Sequence, residues 1–281
     1  MNDNTHEILN WLRKHGYPFE LRAGNVLRSI GWKVEHARWY TDLETGKPRE
    51  LDLYAYIYAG AENPRSGISI AAAIECKSSV GKPWVVFSSP RDTIGFILQD
   101  SLVADPVSKD ALLCASVHRL VSPTVLSLPE LLGHGIVKVH SDNKTGDPTA
   151  AFAALRSVVA GARAIALEHE EFALSNRGSY FTGMVILPIV LLDGELFDYC
   201  LDGDGQESLR SIDAAYVTSV STGPTDWVRV LVLRHQYMKV FFEQHTPQLR
   251  SFCEALVPYA TELTQMVVNR FAARPHSNGA I

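Results

Sequence analysis

The sequence predicts an α/β protein in which a mixed central β-sheet is flanked by helices and followed by additional C-terminal strands and a helix. The first observation is a short amphipathic helix pattern that begins at Tyr17 and precedes three successive strand patterns. The second is a long apolar helix pattern from Thr149 to Glu170, and the third is a set of apolar strand patterns beyond residue 180. Strands that alternate with helices in this way are typical of a sheet covered on both faces.

The helix and the strands that open the chain are defined by their periodicity and their turns. In the helix pattern apolar residues recur at helical spacing up to Gly31, which suits the left-handed residue that ends a helix. The segment Trp32–Tyr40 alternates as a strand, and Asp42–Lys47 forms a turn with a glycine that can take positive φ. The next two predicted strands, joined by a loop rich in turn residues, are Leu51–Ala59 and Ile68–Ile74.

Later segments extend the sheet and its helices. Residues 88–148 hold scattered prolines and short apolar runs, which we interpret as an irregular elaboration of the core. We expect residues 1–170 to form the core, and residues 171–281 to pack on it or to extend it within one continuous domain. The predicted C-terminal elements are strands at Phe181–Leu192, Leu196–Leu201 and Trp227–Leu233, the first two joined by a turn at Asp193–Gly194, and a helix from Pro247 to Arg270 that Pro258 breaks or kinks.

The composition is that of an ordinary globular protein. The 281 residues are 46% hydrophobic and 20% charged, so the chain can bury a sizeable core. The formal net charge of −5 excludes the global basic field of a histone-like protein, and contacts with phosphates would have to come from local clusters. Each candidate, taken singly, is equally well explained as a solvated surface charge. The candidates are Arg22, Lys33, Arg38, Lys47, Arg49, Lys77 and Lys82.

Three features predict a cytoplasmic protein that does not enter a membrane. The N-terminal segment is charged and amphipathic, and it lacks the apolar core of a secretory signal. The longest apolar stretch, residues 183–192, is interrupted by Pro188 and falls well short of the roughly twenty residues that span a bilayer. The cysteines are far apart in the chain, which indicates free thiols in a reducing compartment: they are Cys76, Cys114, Cys200 and Cys253.

Two acids and a lysine stand at positions from which they can form one site. Asp52 lies in the second predicted strand, and Glu75, Cys76 and Lys77 close the third. Side chains alternate along a strand, so Glu75 and Lys77 share a face while Cys76 points the other way. Antiparallel pairing of the two strands would bring Asp52 beside Glu75.

This pair of carboxylates predicts a metal site. Two carboxylates at the end of a buried strand pair repel each other and lose hydration, and a bound divalent cation removes that cost. Magnesium suits such a site because it takes one or two protein carboxylates and completes its shell with water and phosphate oxygens. Lys77 would orient or help to deprotonate an attacking water and stabilise charge on a phosphate. A surface ion pair between Glu75 and Lys77 is the structural alternative, but the continuous apolar run before them indicates a strand covered on both faces.

The order helix, strand, strand with Asp52, and strand with Glu75-x-Lys77 resembles the core of the PD-(D/E)xK nuclease superfamily, which has a restriction-endonuclease-like fold. The resemblance covers about residues 17–87. Leu51 stands in place of the proline of the motif, a position that carries no chemistry. Glu50 shares a strand face with Asp52 and is the alternative ligand if the register of the strand differs.

The resemblance implies a metal-dependent nuclease that hydrolyses phosphodiester bonds, in DNA more than in RNA, with a role in restriction, phage defence or repair. It implies Mg²⁺ as the cofactor and Mn²⁺ as a substitute. The implied catalytic residues are Asp52, Glu75 and Lys77. The implied metal ligands are Asp52, Glu75, the backbone carbonyl of Cys76, and Glu20 from the first turn of the helix that precedes the sheet.

The implied partners are nucleic acid, a second copy of the chain, and an ATPase or helicase. Cleavage of a double strand by one metal centre per chain calls for two protomers. The sequence has no Walker-type phosphate loop, so energy-driven movement along nucleic acid would need a separate motor protein. The alternative function is a catalytically inactive module that keeps the nuclease-like fold and binds nucleic acid or a partner protein.

Overall fold

The structure is a computed structural model that describes residues 3–14, 16–60, 66–79, 81–89, 103–104, 131–139, 148–175, 181–220 and 227–272. In these residues the helices are α1 (Asp3–Lys14), α2 (Tyr17–Ser29), α3 (Pro148–Ser175) and α4 (His235–Ala272). The strands are β1 (Lys33–Thr41), β2 (Pro48–Gly60), β3 (Ser66–Ser78), β4 (Trp84–Ser88), β5 (Val103–Ala104), β6 (Leu132–Lys138), β7 (Phe181–Asp193), β8 (Leu196–Leu201), β9 (Glu207–Ser211), β10 (Ala214–Val220) and β11 (Trp227–Arg234).

The strands of the described residues form one mixed sheet of eleven strands. Their order is β1-β2-β3-β7-β11-β10-β6-β4-β8-β9, with β5 beside β7. β1, β2 and β3 are antiparallel neighbours, whereas β3 and β7 run parallel from Ser66 opposite Phe181 to Ser78 opposite Asp193. The predicted mixed α/β fold, with a large central sheet flanked by helices, is therefore confirmed.

Two apolar layers cover the two faces of this sheet. On one face, Phe19 of α2 and Phe241 and Phe242 of α4 pack with residues of β2, β3 and β7. On the other face, α3 packs through Leu155 and Val158. Because side chains alternate along a strand, β3 supplies both layers. Its residues Ile70, Ala72 and Ile74 belong to the first layer, and Ala71 and Ala73 belong to the second.

α3 is rich in apolar residues because it packs on several parts of the sheet. Its layer includes Trp84 of β4, Ile136 of β6 and Leu196 of β8, in addition to residues of β3 and β7. By length and composition alone, Thr149–Phe172 could cross a membrane, since its mean hydropathy reaches 1.5. Yet 56% of that window is buried inside the structure. Packing in the core accounts for the hydrophobic character of this helix.

The pairing of β1 with β2 is irregular opposite Asp52. The register of the two strands omits the pair of Ala37 and Asp52, and Ala37 has a φ of 53°, in the left-handed region. Leu51 and Leu53 lie two residues apart, yet Leu51 packs in the layer of α3 and Leu53 in the layer of α2 and α4. In a regular strand these two residues would share a face. A local irregularity of this kind re-aims the side chain between them, which is Asp52.

Local predictions near the N-terminus are confirmed. α2 begins at Tyr17 and carries Glu20 in its first turn, and Gly31 follows the helix with a φ of 88°. Gly46 has a φ of 66° in the turn between β1 and β2. The cysteines of the described residues, Cys76, Cys200 and Cys253, are free thiols, and Cys114 lies outside those residues.

The junction of β7 and β8 at Asp193–Gly194 is not a hairpin. β7 pairs with β3 and β11, whereas β8 pairs with β4 and β9. The backbone N–H of Ser79 donates to the carbonyl oxygen of Asp193 at 3.2 Å, so the exits of β3 and β7 stay side by side. A Cβ at Gly194 would lie 2.7 Å from the carbonyl oxygen of Ser79. The glycine is needed for this close approach of two backbones, and the dipeptide alone does not reveal it.

The last helix begins earlier than predicted. α4 starts at His235, and both Pro247 and Pro258 lie within its bounds, so Pro247 does not mark its beginning. The buried residues Met238, Phe241, Phe242 and Leu249 do follow helical spacing from the true start. β9 and β10 were not predicted, and all of β9 is exposed, so it lacks the alternation that marks a strand. Of the elaboration at 88–148, the described residues include β5 and β6, and most of the remainder lies outside them.

Candidate active site

The register of β2 and β3 sets Asp52 beside Glu75. The paired register of the two strands ends with Leu53 opposite Ile74, so Asp52 and Glu75 are the next residues beyond it, and the charge of Asp52 acts on Glu75. The backbone N–H of Cys76 donates to Oδ2 of Asp52 at 2.6 Å. The carboxylate of Asp52 thus reaches from one strand to the backbone of the next. Two of the predicted acids meet at this point of the sheet.

Glu75 is buried, with 7% of its surface exposed, and both of its carboxylate oxygens accept hydrogen bonds. Nζ of Lys77 donates to Oε1 at 2.5 Å, and Oγ of Ser157 in α3 donates to Oε2 at 3.3 Å. The hydroxyl of Tyr40 in β1 donates to the backbone carbonyl of Ser157 at 3.3 Å. A helix and two strands together fix the orientation of this carboxylate.

The pKa values of the two strand acids indicate an electrostatically strained site. Burial raises the pKa of Asp52, against the Cys76 N–H and the Lys77 ammonium, which lower it. Burial also raises the pKa of Glu75, and the neighbouring Asp52 raises it further. Burial lowers the pKa of Lys77, but the carboxylates of Glu75 and Asp52 outweigh it, so the pKa is raised overall. The ammonium of Lys77 therefore stabilises the charges of two partly buried acids, Asp52 and Glu75.

Glu20 of α2 belongs to the same electrostatic cluster. Its pKa is raised from 4.5 to about 7, first by burial and then by the charges of Asp52 and Glu50. Glu75 also raises this pKa, whereas Lys77 lowers it. Glu20 therefore takes up a proton at a higher pH than an ordinary glutamate does. The four predicted side chains, Glu20, Asp52, Glu75 and Lys77, thus lie within electrostatic range of one another.

The side chain of Cys76 points to the face of β3 opposite that of Glu75, although the charges of Asp52 and Glu20 still act on its thiol. It is buried in the layer of α2 and α4, and burial raises the pKa of its thiol, which therefore stays protonated at neutral pH. This orientation follows from the alternation of the strand. The backbone N–H of Cys76 contacts Asp52, and the role of its carbonyl oxygen as a metal ligand stays a prediction.

Glu50 is the alternative acid on β2, two residues before Asp52. It is exposed, and it lies opposite Trp39 of β1. Its charge still reaches Glu20. Because Asp52 bonds to the backbone of β3, it is the better placed of the two alternative ligands.

Several predicted phosphate contacts already have acidic partners within the chain. Arg22 pairs with Asp193 at 3.5 Å, Arg38 pairs with Glu35 and Glu168, and Arg49 pairs with Asp42. The ammonium of Lys33 lies 5.7 Å from the ring centre of Tyr56. These pairs reduce the positive field that the surroundings of the site can offer to a phosphate.

The carboxylate oxygens of Asp52 and Glu75 are the type of ligand that a hard divalent cation such as Mg²⁺ prefers. Magnesium needs only one or two protein carboxylates, and Asp52 and Glu75 can supply them. Burial raises the pKa of both carboxyls, and the charge of Asp52 raises that of Glu75 further. Across the described residues, no group of three or more His, Cys, Asp and Glu side chains is placed to hold a metal ion. Glu20 therefore does not complete a three-carboxylate cage with this pair.

Ser157 is the residue of the site that sequence reasoning missed. A single serine among Leu155, Val158 and Val159 is a weak signal, because nothing in the sequence defines the rotation of α3 against β3. The hydrogen bond from Ser157 to Glu75 depends on how α3 packs on the sheet, which the sequence does not define.

No protein-family model, curated protein or solved structure matches this chain.

Removing the hydroxyl of Ser157 should destabilise the protein modestly. In Ser157→Ala the buried Glu75 loses one donor, and we expect the free energy of unfolding to fall by about 1 kcal/mol in chelator at neutral pH. Ser157→Thr keeps a hydroxyl and should recover most of the loss. Chemical denaturation measures both, with Ser208→Ala on the exposed β9 as the control. Equal stability of the Ser157→Ala and Ser208→Ala variants would contradict the role of this hydrogen bond.

Glu20 should make the metal-free protein less stable as the pH rises. Its folded pKa of about 7 exceeds the ordinary 4.5, so its favourable contribution is complete below about pH 4.5 and is lost as the pH rises through about 7. In chelator, Glu20→Gln should melt at a higher temperature than wild type at about pH 8 and differ least at about pH 5. Glu7→Gln on exposed α1 is the control. If the melting temperature of Glu20→Gln changed with pH as that of wild type does, the raised pKa of Glu20 would be refuted.

Proposed function

We propose that the protein is a magnesium-dependent nuclease of the PD-(D/E)xK type that hydrolyses phosphodiester bonds, most readily in DNA. The observation that carries this proposal is the meeting of Asp52 and Glu75 across the β2–β3 pair, with Lys77 on Glu75. An exposed structural ion pair would not need a second carboxylate from a neighbouring strand. Restriction, phage defence and repair are the settings that the resemblance suggests.

The order of elements supports a restriction-endonuclease-like core. α2 precedes three antiparallel strands, and α3 then packs on the sheet before β7, which runs parallel to β3. This matches the order of a helix and three strands, with a later helix, that periodicity and turns in the sequence predict. The remaining strands extend the same sheet beyond β7.

Lys77 acts as a cation in this proposal. Its raised pKa keeps the amine protonated at neutral pH, so it donates hydrogen bonds and does not abstract a proton. With 36% of its side chain exposed, the ammonium can reach a phosphate oxygen while it remains bonded to Glu75. Its contribution is to position water or phosphate and to stabilise negative charge that develops during cleavage.

Asp52 and Glu75 would hold the magnesium ion, with the backbone carbonyl of Cys76 as a further ligand, and Glu20 of α2 would act on the ion through its charge. When bound, the ion supplies Lewis-acid stabilisation and a more acidic water. Ser157 would help to orient the carboxylate of Glu75, since its hydroxyl donates to that carboxylate, and Tyr40 of β1 holds the backbone of Ser157 in place. The apolar layers on both sides keep the two strands in fixed register.

A binding module without catalysis is the second candidate function. It is favoured by the absence of any three-residue metal-ligating group in the described part of the chain, and by the engagement of Asp52 and Glu75 with internal donors. Such a module would bind nucleic acid or a partner protein without metal-dependent turnover.

Cleavage assays separate the two functions. Purified protein is incubated with supercoiled plasmid, linear duplex, single strand and RNA, each with Mg²⁺, with Mn²⁺ or with chelator. The proposal requires cleavage that depends on the metal and disappears with chelator. Binding with no metal-dependent cleavage of any of the four substrates would establish the inactive module instead.

Replacing Lys77 should abolish cleavage while the protein stays folded. In Lys77→Ala the carboxylates keep their positions but lose the ammonium that stabilises charge, and we expect turnover to fall by a factor of about a hundred or more. Lys239→Ala, which removes an exposed lysine of α4, is the matched control. Circular dichroism and the shift in melting temperature on adding Mn²⁺ check the fold and the metal site. Turnover in Lys77→Ala at the level of wild type would refute the role assigned to this residue.

A further inference from the structure

We propose that Trp39 stacks on an unpaired base beside the candidate active site, so that the preferred substrate is single-stranded nucleic acid or the unpaired part of a duplex. This inference rests on the proposed nuclease function and adds the form of the substrate to it. It starts from the position of one exposed indole relative to the cluster of acids.

Trp39 lies beside the site through the β1–β2 pair. It is directly opposite Glu50, and side chains of directly opposite residues lie on the same face of a sheet. The charge of Glu50 reaches Glu20, which in turn interacts with Asp52. Asp52 lies two residues from Glu50 on β2. A nucleotide stacked on Trp39 would therefore have its phosphate close to the acids.

The exposure of Trp39 is unusual for its residue type. Its exposed fraction of 63% is the largest among the large hydrophobic side chains of the described residues. An indole can bury roughly 150–250 Å² against a partner, so leaving it in water forgoes a large hydrophobic gain. The neighbouring Tyr40 is buried and bonded to α3, which holds this part of β1 in place. The indole is thus presented from a fixed backbone, which lowers the entropy cost of stacking.

The negative charges near this site oppose the binding of phosphate, so nucleic acid would need a contact that does not depend on charge. The protein carries a formal net charge of −5, and Glu20, Glu50, Asp52 and Glu75 all lie near the point where a phosphate would bind. Arg22, Arg38 and Arg49 are paired with acids of the chain. Attraction to the phosphate backbone, which dominates most nucleic-acid binding, is therefore weak here. Stacking on an aromatic ring supplies affinity that charge does not.

Stacking also selects the form of the nucleic acid. In a duplex the faces of the bases are covered by their neighbours, so an indole reaches them only at ends, gaps or distorted steps. In a single strand each base has a free face, and stacking tolerates any sequence. The proposal accordingly predicts no strong base preference.

The test measures binding in the Lys77→Ala background, in which turnover is blocked. The probes are a dye-labelled thymidine oligonucleotide and a duplex whose two ends are closed by hairpin loops too short to offer free bases. Trp39→Ala should weaken binding of the oligonucleotide at least about fivefold, while Trp39→Phe keeps much of the affinity. The loss should be the same factor at low and high salt, because stacking releases no counterions. Binding of the closed duplex should not change.

The matched control is Trp11→Ala, since Trp11 is a second exposed tryptophan, 53% exposed, on α1. It should bind the oligonucleotide as the background protein does. Oligonucleotide binding by Trp39→Ala equal to that of the control overturns the proposal, as does an equal loss for oligonucleotide and duplex. A change of oligomeric state in Trp39→Ala, seen by sedimentation without loss of oligonucleotide affinity, assigns the indole to a protein contact and also overturns it.

Failure of the proposed function gives a different result. If wild type cleaves no substrate with Mg²⁺ but oligonucleotide binding still depends on Trp39, the nuclease assignment fails and the stacking contact stands. If wild type cleaves nucleic acid with Mg²⁺ and Trp39→Ala binds and cleaves the single strand as wild type does, the stacking contact fails and the nuclease assignment stands.

Discussion

The antiparallel register of β2 and β3 is the constraint on which the candidate site depends. Because Leu53 pairs with Ile74, Asp52 and Glu75 come together, and the N–H of Cys76 donates to Asp52. A slip of one residue would turn the side chains of one strand to the opposite face and separate the acids. The apolar layers on both sides of the sheet prevent that slip, since every residue from Ala71 to Ile74 is buried. The packing of the core thus determines the geometry of the polar site.

The same packing explains why the site is electrostatically strained. The folded protein holds Asp52 and Glu75 in a partly buried place, and both pKa values are raised there. Glu20 adds a third acid with a pKa of about 7, while Lys77 is the nearby cation in this group. Groups whose burial raises their pKa values in this way are common at functional sites. The backbone of Ala37, opposite Asp52, has a positive φ, and this conformation adds a second unfavourable energy at the same place.

The part of the site that could be predicted from the sequence is the part defined by short-range rules. Alternation along β3 put Glu75 and Lys77 on one face, and the first turn of α2 carried Glu20 as expected. Ser157 and Trp39 required tertiary packing or strand register, because the rotation of α3 and the exposure of β1 have no local signature. The roles of Asp52 and Glu75 as metal ligands stay predictions.

The same distinction holds for the fold: elements defined by local patterns could be predicted, and those fixed by distant contacts could not. The order of the first helix and three strands followed from periodicity and turns. The path of β7 into β8 did not, because Gly194 is required by the backbone of Ser79, which lies far away in the sequence. α4 was misplaced at its start because Pro247 resembles a helix beginning and lies within the helix. β9 was missed because an exposed edge strand has no apolar alternation to recognise.

The measurement that tests the central claim most directly is calorimetric titration of Mn²⁺ into wild type, Asp52→Asn and Glu50→Gln. Both substitutions remove one negative charge and keep the size of the side chain, and their positions lie two residues apart in the chain. If Asp52 and Glu75 form the metal site, Asp52→Asn loses Mn²⁺ binding while Glu50→Gln binds almost as wild type does. Equal binding by wild type and Asp52→Asn would contradict the account, and so would no binding by the wild-type protein.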